Sequence, residues 1–332
     1  MPRIGTVIRE VYQRPGADEL PGHLEQRYGI RVTQVTKLDG GVFKVERDGG
    51  PPWVARLHLS SRPLARTEAD AEVLRFLERQ GFPAERCAHP EPVSVLDGRA
   101  VLVTDFVPGQ RPPGSPAIRR RLGDLLGRLG ALPAAEPEAV RRPAGSLHHL
   151  PMFEGAPGQD LAAAAALLDD LDGRVPPQYR QVHDTLRELL PLGDGAAGLP
   201  EAFIHPDPAR SNIIAGPDGP DPVLVDWTGA GTGPRLAALA VLLNSVAPQH
   251  AAEVLTGFRA RAGDLTAEEL DRLEGVLWIR PLWLACWQCW LAVVSAKVSR
   301  AFLPDREHIT ALAAAVRAAQ PAQAQERAQE PA

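Results

Sequence analysis

The chain is short of several things, and each shortage excludes something. It has three cysteines in 332 residues, Cys87, Cys286 and Cys289. So few thiols, in an odd number, exclude a disulfide framework. Cys286 and Cys289 are spaced C-x-x-C, but no second cysteine pair exists to complete a zinc site. They fall in an apolar stretch, Val276 to Val298, that also carries Trp278, Trp283, Trp287 and Trp290. Thiols in such a helix are expected to pack as small core hydrophobes. Lysine is confined to Lys37, Lys44 and Lys297, and the net charge is −5, which argues against a general nucleic-acid partner. No uninterrupted apolar run reaches the length of a membrane span. Met1 to Glu10 lacks the charged-then-apolar order of a secretory signal. A cytoplasmic protein with no membrane partner is therefore expected. A length of 332 residues allows a large core and two lobes.

What is present begins with the run Phe203-Ile204-His205-Pro206-Asp207-Pro208-Ala209-Arg210-Ser211-Asn212, followed by the apolar Val223-Leu224-Val225 and then Asp226-Trp227. A carboxylate and a carboxamide stand five residues apart, and a second carboxylate follows fourteen residues later at the end of an apolar strand. Phosphoryl transfer from a nucleotide needs a base at the acceptor hydroxyl and oxygen ligands for magnesium. Asp207 suits the first task, and Asn212 with Asp226 the second. Upstream, Trp53-Val54-Ala55-Arg56-Leu57 is a short apolar strand with one cation inside it. Ser61 to Gln80 follows with Leu64, Ala71, Leu74 and Leu77 at helical spacing, and it carries Glu68 and Glu72. Ala100 to Phe106 reads as a buried strand that runs into Val107 and a Pro108-Gly109 break.

The pattern H-x-D-x-x-x-x-N, strand, Asp, with these upstream segments in order, resembles the aminoglycoside phosphotransferase family of protein-kinase-like small-molecule kinases. The resemblance covers roughly residues 30 to 240. It implies a two-lobed α+β fold, with an antiparallel β-sheet N-lobe holding one helix and a mostly helical C-lobe. It implies ATP or GTP as donor, Mg²⁺ as cofactor and an alcohol on a small molecule as acceptor. In its terms Asp207 is the catalytic residue, Asn212 and Asp226 hold the metal, and His205 braces the catalytic loop. Arg56 takes the place of the family's usual lysine on the α and β phosphates, and arginine can bind phosphate bidentately. A helix glutamate holds that cation. Glu72 is the expected one, with Glu68 as a rival four residues earlier on the same face. The hinge would offer the adenine edge the Asp105 carbonyl and the Val107 amide. The hairpin turn Asp39-Gly40-Gly41 would bring Gly40 and Gly41 over the phosphates. Lys44 on the same hairpin is expected to be a solvated strand lysine.

Two departures from the family pattern stand out. Pro206 replaces the glycine of the usual His-Gly-Asp, and in Gly231-Thr232-Gly233-Pro234-Arg235-Leu236-Ala237-Ala238-Leu239-Ala240 the residue Ala238 stands where the family has Asp. The expected organisation is an N-lobe over residues 1–108, a C-lobe over 109–319 and a disordered Ala/Gln/Glu/Pro-rich tail over 320–332. The first 110 residues balance at 15 basic and 15 acidic side chains, and the rest carry 21 and 26. That acidic excess favours a cationic acceptor, with Glu154, Asp160, Asp169, Asp170 and Asp172 as candidate cleft carboxylates. His148-His149 are expected at the surface or against substrate. An amine-bearing antibiotic, with resistance as the outcome, is the leading expectation. A metabolic kinase for an amino alcohol or sugar, and a non-catalytic nucleotide-binding pseudokinase, remain open.

Overall fold

Two hairpins and an inserted helix build the first part of the chain. The computed structural model describes residues 18–133, 137–145, 159–215, 222–294 and 302–320. His148, His149, Glu154 and residues 321–332 of the expected tail lie outside them. Helix α1 (Leu20–Tyr28) precedes strands β1 (Val32–Asp39), β2 (Val42–Arg47) and β3 (Trp53–Leu57), then helix α2 (Leu64–Arg79) and strands β4 (Val93–Leu96) and β5 (Arg99–Asp105). The five strands form one antiparallel sheet in the order β1-β2-β3-β5-β4.

The turns explain the register. Gly40-Gly41 joins β1 to β2, with Asp39 opposite Val42 and Gly41 at a φ of 76°. Asp97-Gly98 joins β4 to β5 with both residues at positive φ, the two-residue turn that matches strand twist. Leu20 and Leu24 of α1 pack on one face of the sheet against Phe43, Val45, Trp53, Ala55, Leu57, Val101 and Val103.

Helix α2 covers the sheet's other side and buries Thr67, Asp70, Ala71, Val73, Leu74, Phe76 and Leu77. Its apolar residues belong to the same core as Leu122, Leu126, Phe203, Ile213, Leu224 and Trp227, so one core spans both lobes.

The helical lobe contains α3 (Pro116–Gly130), the short α4 (Glu138–Arg141), α5 (Gln159–Leu171) and α6 (Pro177–Leu189). Strands β6 (Glu201–Ile204), β7 (Ile213–Ile214), β8 (Val223–Leu224) and β9 (Gly231–Pro234) frame the segment of Asp207, Asn212 and Asp226, in the pairs β6–β9 and β7–β8. Helices α7 (Arg235–Leu243), α8 (Ala251–Ala262), α9 (Ala267–Val294) and α10 (Arg306–Ala318) complete it. The antiparallel sheet followed by a mostly helical lobe is the expected two-lobed α+β architecture.

Helices α3 and α8 approach closely because glycine stands at the contact. A Cβ on Gly257 would lie 1.8 Å from the Arg120 carbonyl oxygen, and one on Gly123 would lie 1.9 Å from that of Val254. Helix α9 has 28 residues and is long and apolar enough to span a membrane by length and composition, and two-thirds of its most apolar window is buried in the fold. Trp283, Cys286, Cys289 and Trp290 pack there against Leu167, Leu168 and Leu171 of α5. Burial pushes the Cys286 thiol up to about 12 and that of Cys289 to about 11, so both stay protonated core residues.

Candidate active site

The candidate catalytic segment begins where β6 ends. His205 is fully buried, and its Nδ1 accepts from the Asp207 backbone N–H at 3.1 Å. That leaves Nε2 as the protonated nitrogen, which donates to the Val225 carbonyl at 3.2 Å. The ring meets Trp227 edge-on at 4.9 Å. His205 thus ties the loop of Asp207 to the strand end that presents Asp226. Asn212 makes a second tie, because its backbone carbonyl accepts from Val225 N–H at 2.9 Å. Its Nδ2 donates to the Asp207 carbonyl at 2.9 Å and to Asp207 Oδ2 at 3.2 Å. The amide orientation that satisfies these bonds leaves the Asn212 side-chain oxygen as a ligand donor.

Asp207 accepts from a partner that the sequence did not announce, the guanidinium of Arg280 on α9, with Nη1 at 2.9 Å from Oδ1. Burial raises the Asp207 pKa above the ordinary carboxylate value, with Asp226 adding to the rise and Arg280 and Asn212 opposing it. A carboxylate shifted upward by burial is better matched to taking a proton than a solvated one.

Asp226 follows β8 in the left-handed region, with φ 66°, a conformation uncommon for a side-chain-bearing residue. The following turn is held at both ends by buried carboxylates. Glu85 Oε1 accepts from Asp226 N–H at 2.7 Å, and Asp70 Oδ1 accepts from Gly229 N–H at 3.2 Å. The Asp226 side chain receives the Thr228 hydroxyl at 3.0 Å. The Asn212 and Asp226 oxygens are hard donors suited to Mg²⁺, which takes few protein ligands and completes its shell with water and phosphate. The described residues contain no cluster of three His, Cys, Asp or Glu that could hold a metal ion.

Arg56 lies on the central strand β3, buried, opposite Val42 and Leu102. Its Nη1 donates to Thr104 Oγ1 at 3.0 Å, and its two Nη atoms lie 2.9 and 3.0 Å from the two oxygens of Glu85. Its Nε is 3.5 Å from Asp226 Oδ1. Burial works against the charge, but Glu85 and Asp226 more than compensate and hold the pKa above the ordinary arginine value.

Here the structure departs from the sequence reading. Glu72 and Glu68 are both exposed on α2, and neither is the partner of Arg56. The buried stripe of α2 runs through Thr67, Asp70, Ala71, Leu74 and Leu77, so the acid that faces inward is Asp70. Asp70 pairs with Arg62 at 2.9 Å and with Arg142. The misplaced phase traces to Leu64, which starts the helix exposed and does not belong to the stripe. Extending the i, i+4, i+7 row backward from Leu74 and Leu77 reaches Asp70, so the signal was available.

The remaining expected groups fall around this centre. The tip of the β1–β2 hairpin lies beside Arg56, because Gly41 O accepts from Leu57 N–H at 2.8 Å. Lys44 ion-pairs with Glu46 at 2.6 Å and lies over the Phe106 ring at 4.4 Å from its centroid. Asp105 ends β5 opposite Trp53, and Phe106 N–H is taken by Pro52 O, which leads the chain through Val107 toward the helical lobe. Pro206 and Ala238 prove to be neighbours, lining one small cavity with Asp160, Asn244 and Arg280.

The candidate cleft acids are mostly spoken for. Asp169 and Asp172 pair with Arg187. Asp170 pairs with Arg174 and receives the Trp290 indole N–H. Asp160 is buried.

No curated protein matches the chain by sequence. Solved structures share its fold at low identity. An amicoumacin kinase in complex with AMP-PNP, Ca²⁺ and Ami is 14% identical, with a TM-score of 0.63 over 94% of this chain and 95% of that one. A spectinomycin phosphotransferase in complex with ADP and spectinomycin is 13% identical, with a TM-score of 0.59 over 91% and 97%. A choline kinase from Streptococcus pneumoniae is 12% identical, with a TM-score of 0.55 over 91% and 98%. The model of the phosphotransferase enzyme family matches residues 33–276, well over half of the chain, and contains Arg56, His205, Asp207, Asn212 and Asp226. The chain therefore belongs to the phosphotransferase enzyme family.

Proposed function

We propose that the protein transfers the terminal phosphoryl group of ATP or GTP to a hydroxyl of a small molecule. The observation that carries this reading is one hydrogen-bonded unit. Asp207, Asn212, His205 and Asp226 are joined through Val225, and Asp226 is joined to Arg56 through Glu85. Asp207 orients the acceptor hydroxyl and accepts its proton. Asn212 and Asp226 hold Mg²⁺, which when bound supplies charge neutralisation at the phosphate oxygens. Arg56 adds a fixed positive charge on the nucleotide side, and the hairpin tip at Gly40 and Gly41 covers the phosphates. The Asp105 carbonyl and the Val107 amide take the base. Most of the rate enhancement comes from positioning and electrostatics rather than covalent chemistry. A nucleotide-dependent reaction suits a cytoplasmic location.

The finer proposal for the acceptor is an amine-bearing antibiotic, phosphorylated to give resistance. The amicoumacin and spectinomycin enzymes of the same fold support it. A second reading, a metabolite acceptor, is favoured by the charges around Asp207. Arg280 stands at the base itself, and Asp169, Asp170 and Asp172 are paired with arginines rather than left to attract a polycation. A choline kinase also shares the fold. The decisive experiment measures ATP and GTP turnover against aminoglycosides, other hydroxylated antibiotics, amino alcohols and sugars. It also scores resistance in a sensitive bacterium expressing the protein. Turnover of a metabolite without protection against any antibiotic selects the second reading. Failure to bind Mg-nucleotide at all removes both and leaves a non-catalytic homologue.

A further inference from the structure

The cation of β3 needs a counter-ion, and α2 does not supply it. Glu68 and Glu72 face solvent, and the inward acid Asp70 is committed to Arg62, Arg142 and the Gly229 amide. The carboxylate at Arg56 comes instead from the segment after α2. Glu85 is buried, and both of its oxygens are used twice. Oε1 accepts from Arg56 Nη2 at 3.0 Å and from Asp226 N–H at 2.7 Å. Oε2 accepts from the Thr104 hydroxyl at 2.8 Å and lies 2.9 Å from Arg56 Nη1. Thr104 Oγ1 in turn accepts from Arg56 Nη1, which closes a ring of three side chains. This arrangement depends on the guanidinium fork, since a lysine ammonium cannot present two nitrogens to the two oxygens of one carboxylate.

We propose that Glu85 is the positioning residue of the nucleotide site, fixing Arg56 and the metal-ligand turn at Asp226 with one carboxylate. The proposal rests on the phosphotransfer reading above. Three features support it beyond the ion pair. Asp226 occupies the left-handed region, and a charged acceptor on its N–H offsets the cost of that conformation. Arg56 is buried, so its charge requires a partner already in place before nucleotide arrives. Thr104 immediately precedes the hinge residue Asp105, so the same ring reaches the segment assigned to the base. The phosphate cation, the metal ligand and the hinge are then set together by local residues, and the placement of α2 is not what completes the site.

The test measures MgATP affinity by calorimetry, well below the melting temperature, for the wild type, Glu85→Gln and Glu269→Gln. Glu269 is an equally buried acid paired with Arg235, outside the nucleotide site, and it reports what loss of a buried ion pair does by itself. Glu85→Gln should weaken MgATP binding about tenfold or more, and Glu269→Gln should lower the melting temperature without changing affinity. Glu85→Gln that binds MgATP like the wild type, or loses no more than Glu269→Gln, overturns the proposal. If Glu85→Gln does not fold because Arg56 is left unpaired, Arg56→Gln is compared with Arg56→Gln/Glu85→Gln. With no cation to position, and with the glutamine oxygen still able to accept from the Asp226 amide, removing the carboxylate charge should cost only a few-fold further affinity. A further loss of about tenfold overturns the proposal. A wild type that binds no MgATP overturns the phosphotransfer reading and this proposal with it, whereas wild-type binding with an unaffected Glu85→Gln overturns this proposal alone.

Discussion

The two arginine–carboxylate pairs of the candidate site are held differently. In the sheet lobe Arg56 and Glu85 are almost completely buried, bidentate, and cross-linked by Thr104 and the Asp226 amide. At the base of the cleft, Arg280 makes a single contact to Asp207, and both side chains keep about a fifth of their surface, 19% and 22%. A buried network with every partner in place resists rearrangement, whereas a partly solvated pair can be exchanged for a ligand at small cost. On the proposed reading the nucleotide end of the site is built in advance, and the acceptor end would hold Asp207 in a contact that a substrate could displace.

The largest expected effect falls on the exchangeable side. Asp207→Asn should lower kcat by about 10²–10⁴-fold while leaving MgATP affinity near the wild-type value. Near-normal kcat in single-turnover measurements would remove Asp207 from its assigned role.

Next comes the buried side. Asp70→Asn strips a carboxylate from Arg62 and Arg142 and should cost roughly 3–5 kcal/mol of stability, read by denaturant unfolding. The pH dependence follows the same pair. Its two arginines hold the Asp70 pKa below its ordinary value against the opposing effect of burial. The stabilisation is therefore present above the unfolded carboxylate value and is lost as pH falls through the lower folded one. A variant as stable as the wild type, with an unchanged acid transition, would show that the clamp contributes nothing.

Asp226→Ala separates metal binding from proton transfer. Saturation at about 100 times Kd stabilises a fold by roughly 2.7 kcal/mol, so the MgATP-induced thermal shift should shrink in this variant far more than in Asp207→Asn. Equal shifts in the two variants would blur the distinction between the two proposed roles.

The smallest effect sharpens the comparison most. Arg280 lowers the Asp207 pKa, which burial and Asp226 raise. Arg280→Gln should therefore move the acidic limb of the kcat profile to higher pH, since the base must lose its proton to act. A limb that stays in place would mean that Arg280 does not face the base during turnover.

The local parts were readable one at a time. The turn at Gly40-Gly41 and the apolar β3 and β5 strands follow from composition and spacing over a few residues. The order of Arg56, Asp207, Asn212 and Asp226 indicated the family because each chemical group sits beside a recognisable strand or turn. Glu85 carried no such mark. It lies in an irregular segment between α2 and β4, where no period distinguishes an inward acid from a solvated one. Arg280 was hidden for the opposite reason, inside a long helix whose tryptophans and leucines drew attention to the core.

What the chain determined by itself is the kind of chemistry, because a base, two oxygen ligands and a strand cation are properties of residue types in order. Which carboxylate holds Arg56, and what charge stands at Asp207, were decided only by folding. Glu85 is 29 residues from Arg56, 141 from Asp226, and Arg280 is 73 from Asp207. Counter-ions are chosen by distance and burial, since Coulomb energy and desolvation act through space and take no account of sequence separation.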